Sequence, residues 1–182
     1  VKSNSNKVRI IGGDYRRRLI SFPDQQGLRP TPDRVRETLF NWLGQALYGQ
    51  RVLDLFAGSG ALGFEAASRG ASRVVMVEKS RAVAASLHDN RRLLEAGTVE
   101  VVNADAIGWL SGCTDTFDLI LVDPPYDSDL LARVLPLLAA RLAPGGTVYA
   151  ECRDWPELNG WKRVKEGRAG VVRHGLLMRE PA

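Results

Sequence analysis

Val52-Leu53-Asp54-Leu55-Phe56-Ala57-Gly58-Ser59-Gly60-Ala61-Leu62-Gly63 is the stretch that decides the fold. It reads as a strand that runs into a glycine-rich turn and then a helix. The glycines permit a tight turn and close backbone approach to a ligand. Outward from it, strands are expected near 51–56, 73–78, 98–103, 117–122 and 146–152. Helices are expected near 60–69, 80–96 and 128–142, with a short one over Ala106–Leu110. Such alternation predicts an α/β, doubly wound and mostly parallel sheet with helices on both faces. Two later segments, 161–166 and 171–179, read as antiparallel strands around the turn Gly167–Gly170.

The glycines Gly58, Gly60 and Gly63 fit G-x-G-x-x-G. Glu78 follows Gly58 by twenty residues, at the end of the next strand, where a ribose-binding acid is expected. A nicotinamide-dependent oxidoreductase is therefore one reading. Asp54 argues against it, because a carboxylate just ahead of the glycines repels a pyrophosphate. The chain is also short for a separate substrate domain. S-adenosylmethionine offers a ribose, a sulfonium and an ammonium but no phosphate, and it suits these acids better. Asp105, after the third strand, is placed either to accept from an adenine amino group or to cap the helix starting at Ala106.

Phe117-Asp118-Leu119-Ile120-Leu121-Val122 is an apolar strand that ends in Asp123-Pro124-Pro125-Tyr126. Open α/β sheets put their chemistry at such strand ends. A carboxylate and a backbone carbonyl accept both hydrogens of a planar NH2 group, the prolines hold a rigid bend, and the ring stacks on the flat group. The pattern suits methylation of an exocyclic base amine or a side-chain amide. The plainer reading is a Pro-Pro turn with a surface tyrosine.

The 182 residues make one domain with at most a small appendage, and the net charge is +4. Residues 1–40 hold nine Lys/Arg and four Asp/Glu, a balance of +5 that leaves −1 for the remainder. A cationic arm on a near-neutral body fits a polyanion partner. Arg16-Arg17-Arg18 beside Tyr15 and Phe22 favours nucleic acid over a merely solvated segment. The arm, residues 1–31, reads as a hairpin of Val8–Ile11 and Arg17–Phe22 around Gly12-Gly13-Asp14, followed by a loop. Residues 32–182 form the main domain. A helix is expected from Asp33 to Leu47, with Thr31 as N-cap and Pro32 at its first position. No run approaches the ~20 apolar residues of a membrane span. Residues 1–6 are polar and lack a signal-peptide core. Cys113 and Cys152 have no metal spacing. A cytoplasmic, metal-free monomer is expected. The chain does not begin with Met, so the origin of its first residues stays open.

The set Asp54 to Gly60, Glu78, Asn103-Ala104-Asp105-Ala106 and Asp123 to Tyr126 resembles class I S-adenosylmethionine-dependent methyltransferases of the amino-group type. The stretches Arg9-Ile10-Ile11-Gly12-Gly13 and Gly27-Leu28-Arg29-Pro30-Thr31-Pro32-Asp33-Arg34-Val35-Arg36-Glu37-Thr38-Leu39-Phe40-Asn41-Trp42 are more specific. They resemble the bacterial 16S ribosomal RNA guanine-N2 methyltransferases, the RsmD family, over nearly the whole chain. The resemblance implies a Rossmann-like sheet of seven strands. The implied target is guanine 966 of 16S rRNA in an assembling small subunit. It implies a cofactor shell of Asp54, Phe56, Gly58, Ser59, Gly60, Glu78, Lys79, Asp105 and Ala106. It implies a reaction site of Asp123, Pro124, Pro125 and Tyr126, and substrate contacts from Arg16, Arg17, Arg18, Arg29, Thr31, Arg34 and Arg36. One departure is Arg17, which stands where the family often has glycine.

Three further readings share parts of this pattern. A DNA adenine-N6 methyltransferase usually needs a larger recognition part. A protein glutamine-N5 methyltransferase normally opens the motif with Asn, not Asp123. A non-enzymatic RNA-binding module needs only the arm.

Overall fold

Val52 to Asp54 alternates its side chains between two apolar environments, and the whole sheet follows from that. The computed structural model describes residues 6–182. Seven strands form one sheet: β3 (Arg51–Asp54), β4 (Arg73–Glu78), β5 (Val99–Asn103), β6 (Phe117–Val122), β7 (Leu142–Cys152), β8 (Trp161–Ala169) and β9 (Val172–Arg179). Their order is β5-β4-β3-β6-β7-β9-β8. β3 to β7 run parallel, and β9 lies antiparallel between β7 and β8. The strand order reverses between β3 and β6, so a crevice opens at their carboxyl ends. The seven-stranded sheet with helices on both faces is the expected one.

Val52, Val74, Met76, Leu119, Leu121 and Tyr149 pack under α1 (Asp33–Trp42), α2 (Ala61–Ser68) and α3 (Arg81–Leu93). Leu53, Val75, Val77, Ile120, Val122 and Val148 pack on the other face under α4 (Ala106–Gly112) and α5 (Leu130–Leu138). The two-residue period of a strand produces both sets from one sequence. Among the described residues, no helix is long and apolar enough to cross a membrane.

The N-terminal hairpin pairs β1 (Asn6–Arg9) with β2 (Leu19–Phe22), Arg9 opposite Leu19. Its strands are shorter than expected and its connection is wider. Ile10 donates to the Arg18 carbonyl and Arg17 to that of Ile10, which closes the connection. Arg17 adopts φ +69°, a left-handed backbone, at the position where glycine is common in the resembling family. Residues 1–5, part of the expected basic arm, lie outside the described residues. The hairpin is tied to the body, with Ile10, Ile20 and Phe22 in the core and Tyr15 N–H donating to Ser68 Oγ at 2.9 Å.

α1 ends at Trp42 rather than Leu47, because Gly44 (φ +85°) and Gln45 (φ +72°) turn left-handed. Pro32 holds its N-cap position, without a side-chain cap. Thr31 does not cap the helix, because its hydroxyl is committed to the site below.

Candidate active site

Five strand ends bring five acids together: Asp54 from β3, Glu78 from β4, Asp105 after β5, Asp123 after β6, and Glu151 near the end of β7, beside Asp123. The turn after β3 is shaped by packing. A Cβ at Gly60 (φ +86°) would lie 2.7 Å from the Phe64 ring, and one at Gly63 2.9 Å from Asp54 Oδ2. The Gly63 N–H instead donates to that oxygen at 3.0 Å. Gly58 N–H donates to Glu78 Oε2 at 2.8 Å and Ser80 N–H to Oε1 at 3.0 Å, which orients the glutamate. Ser59 is buried, Phe56 is half-buried, and Lys79 is exposed at the mouth.

Asp54 is 1 % exposed and its pKa is pushed up to about 8. Burial is the main cause and the neighbouring Asp123 adds to it, while the Gly63 N–H opposes both. Asp105 is exposed and accepts from Gly108 N–H at 3.0 Å, capping α4 with one oxygen while Ala106 is buried behind it. Cap and ligand contact remain compatible there.

Asp123 is half-buried and accepts from Thr31 Oγ1 at 3.3 Å. Burial pushes its pKa up, and the neighbouring Glu151 and the Thr31 hydroxyl partly oppose this. Pro124 is buried; Pro125 and Tyr126 are exposed. The Tyr126 hydroxyl is pushed up to about 12, by burial first and then by Asp123 and Glu151, with Arg29 acting the other way. A hollow of about 240 Å³ is lined by Pro124, Tyr126, Leu131, Glu151 and Cys152. A larger one, about 550 Å³, lies among Trp42, Tyr48 and Gly146, away from the carboxylates.

The arginines expected on the substrate side divide. Arg16, Arg17, Arg18, Arg29 and Arg34 are exposed, although Arg18 also donates to the Leu93 carbonyl at 2.9 Å. Arg36 is not a surface residue. It is 1 % exposed and donates to the Thr31 and Arg9 carbonyls, to Glu65 at 3.2 Å and to Asp33 at 2.5 Å. Every partner is internal, so Arg36 holds the Thr31 loop rather than RNA.

Two further groups were not singled out from the sequence. Glu65 on α2 is fully buried between Arg36 and Arg69 and also accepts from Ile11 and Gly12 N–H. Glu151 on β7 is 2 % exposed and accepts from Tyr149 Oη at 2.7 Å. Nearby, His174 stacks on Trp42 with centroids 5.2 Å apart, and its Nδ1 has no hydrogen-bond partner among the described residues. The signal for both glutamates is the same: one acid inside an otherwise small or apolar run. The near-neutral body is also uneven, since β8 and β9 hold Lys162, Arg163, Lys165, Arg168, Arg173 and Arg179 against Glu166.

The chain is similar to "Ribosomal RNA small subunit methyltransferase D" of Escherichia coli (strain K12), 42 % identical over 184 residues, covering 98 % of this chain and 93 % of that protein. The Haemophilus influenzae protein of the same name is 38 % identical, with 93 % of each covered. The solved structure of yhhF from Escherichia coli matches with TM-score 0.88 at 41 % identity, covering 97 % of this chain and all of that one. A ribosomal protein L11 methylase from Lactobacillus delbrueckii, 20 % identical with TM-score 0.70 over 88 % of this chain and 86 % of its own, shares the fold. Residues 8–177 match the family described as "Conserved hypothetical protein 95", and with relatives this similar over almost its full length the chain belongs to that family, the RsmD family of methyltransferases.

Proposed function

We propose that this protein transfers a methyl group from S-adenosylmethionine to the exocyclic N2 of a guanine in 16S rRNA, guanine 966, during small-subunit assembly. The observation that carries the reading is Asp123-Pro124-Pro125-Tyr126 at the point where strand order reverses, with Asp123 oriented by Thr31. The names of the relatives supply the substrate class.

The residues fit the cofactor. Asp54, Glu78 and Asp105 face one crevice, and among the described residues none of the three forms an ion pair with Lys or Arg. Acids without cations suit a ligand that brings an ammonium, a sulfonium and ribose hydroxyls. S-adenosylmethionine, when bound, supplies an electrophilic methyl group. Asp54 answers the cationic amino-acid part, Glu78 the ribose and Asp105 the adenine edge.

The chain's remaining task is to present the amine. Guanine N2 is a poor nucleophile because its lone pair is delocalised into the ring. Hydrogen bonds to the Asp123 carboxylate and the Pro124 carbonyl favour a pyramidal nitrogen aimed at the methyl group, and orientation supplies much of the rate. Tyr126, whose ring is exposed beside Asp123, stacks on the extruded base, worth roughly 1–3 kcal/mol. Arg16, Arg17, Arg18, Arg29 and Arg34 serve the phosphates.

Mass mapping of rRNA from cells lacking this protein tests the reading. One methylated guanine should disappear and return on complementation. An unchanged methylation map, with the purified protein inert on 16S rRNA and on the small subunit, would overturn it. For the arm, replacing Arg16, Arg17 and Arg18 with Ala should weaken RNA binding and flatten its salt dependence by about 0.7–0.9 per lost phosphate contact. Equal slopes would transfer docking to Arg29, Arg34 or the cationic β8–β9 hairpin.

A further inference from the structure

Glu151 has no assigned task, yet it is buried against the reaction site. The β6–β7 register pairs Val122 with Ala150, so the next residues, Asp123 and Glu151, stand side by side. On neighbouring parallel strands the two carboxyl groups share one face of the sheet, and each acts on the other's ionisation. Across β9 the partner of Glu151 is His174. Tyr149, two residues back on the same face, is fully buried and donates its hydroxyl to Glu151 Oε1 at 2.7 Å.

Charge decides the state of this pair. Two adjacent carboxylates in a dry site do not both ionise; one keeps a proton. None of the ion pairs among the described residues involves Glu151. The groups acting on the pair are Asp54 from β3, Tyr149 on β7 and Tyr126 from the motif loop. All three are anionic when ionised. Arg29 acts on Tyr126 and Arg34 on His174, and burial keeps His174 neutral. Asp123 is the more exposed member and has the Thr31 hydroxyl, so the negative charge settles there. Burial first, and then Asp123, hold the Glu151 pKa well above the usual carboxylate range.

We propose that Glu151 is a positioning residue for the methyl transfer: as a neutral carboxylic acid it donates a hydrogen bond to the Asp123 carboxylate and determines which Asp123 lone pairs remain for the target amine. With Oε1 taken by Tyr149, the proton is carried on the other oxygen. Thr31 and Glu151 then grip Asp123 from two sides and hold its plane toward the incoming NH2 group. The inference rests on the proposed amine methylation for its catalytic consequence, but not for the protonation state.

Two variants and a spectroscopic arm test it. Glu151→Leu removes the donor, and kcat should fall roughly tenfold to a hundredfold, the scale of a lost alignment, with S-adenosylhomocysteine binding retained. Glu151→Gln restores an N–H donor that cannot ionise, and most of that kcat should return. The wild-type rate should decline at alkaline pH as Glu151 ionises, while that of Glu151→Gln should not. Carbon NMR of the unliganded protein labelled at the glutamate carboxyls should show one protonated carboxyl at neutral pH, absent in Glu151→Gln. A Gln variant as impaired as the Leu variant, superimposable pH profiles, or an ionised Glu151 at neutral pH would overturn the proposal. The NMR arm needs no RNA, so it can fail while rRNA methylation stands, and it can succeed if the rRNA reading falls.

Discussion

Glu65 and Glu151 are both buried carboxylates on the α1 face of the sheet, and their surroundings are opposite. Glu65 has Arg36 and Arg69 within 3.2 Å and two backbone N–H donors from the N-terminal arm. Its charge is matched, and it works as a clamp between α1, α2 and the arm. Glu151 has Asp123 and Tyr149 beside it and, among the described residues, no ion pair with a cation. On the proposal above it is held as an acid, and the negative charge of the pair is left on Asp123, beside the candidate crevice. Burial alone therefore says little about a carboxylate. The sign of its neighbours separates a structural hub from a chemical one.

The comparison breaks most severely if Glu65 is dispensable. Glu65→Ala strands two guanidinium groups and two N–H donors, and should cost about 3–5 kcal/mol in denaturant unfolding. A loss confined to activity, with the unfolding midpoint unchanged, would remove Glu65 from the role of clamp.

On the chemical side, Asp123→Ala should lower turnover roughly a hundredfold or more while calorimetry still finds S-adenosylhomocysteine bound. Near-normal methylation by this variant would take Asp123, and with it Glu151, out of the reaction.

Asp54 sharpens the comparison, being buried, accepting from the Gly63 N–H and, among the described residues, forming no ion pair. Its folded pKa is raised from 3.8 to about 8. A raised value means that its contribution to stability is complete below about 4 and is lost as the pH rises through about 8. A bound ammonium favours the ionised form, so ligand binding should release a proton below pH 8. Affinity for S-adenosylhomocysteine should climb between pH 6 and 8, up to about tenfold per unit. Calorimetry in two buffers of different ionisation heat reads the proton directly. Binding without proton release, or Asp54→Asn with the same pH dependence, would contradict this.

The smallest effect lies on the arm that Glu65 anchors. Arg17 holds a left-handed backbone at φ +69°. Arg17→Gly should relieve that strain and raise stability by up to about 1 kcal/mol, the gain being reduced by the freer unfolded chain. A drop in the unfolding midpoint would mean that the Arg17 side chain contributes more than its backbone costs.

Much of the site was legible because acids at strand ends announce themselves. Asp54, Glu78, Asp105 and Asp123 each follow an apolar run, and the α/β alternation places those ends together. Arg36 misled because its neighbours Arg29 and Arg34 are exposed and the segment reads as cationic. Yet Arg36 stands three and four residues before Leu39 and Phe40, both buried, so helical spacing already puts it on the inner face. Thr31 was misplaced as a cap for a related reason: cap preference is local, while its hydroxyl answers a carboxylate far along the chain.

By itself the sequence determined the alternation of strands and helices, the tight turn at Gly58 to Gly63 and the acid that ends each strand, because periodicity and backbone freedom act over a few residues. Only the tertiary structure decided which charges are neighbours. The register that sets Asp123 beside Glu151, and the helix packing that sets Glu65 between two arginines, join residues distant in sequence. Protonation follows from those neighbours and from the dryness around them, and neither is written in the local sequence.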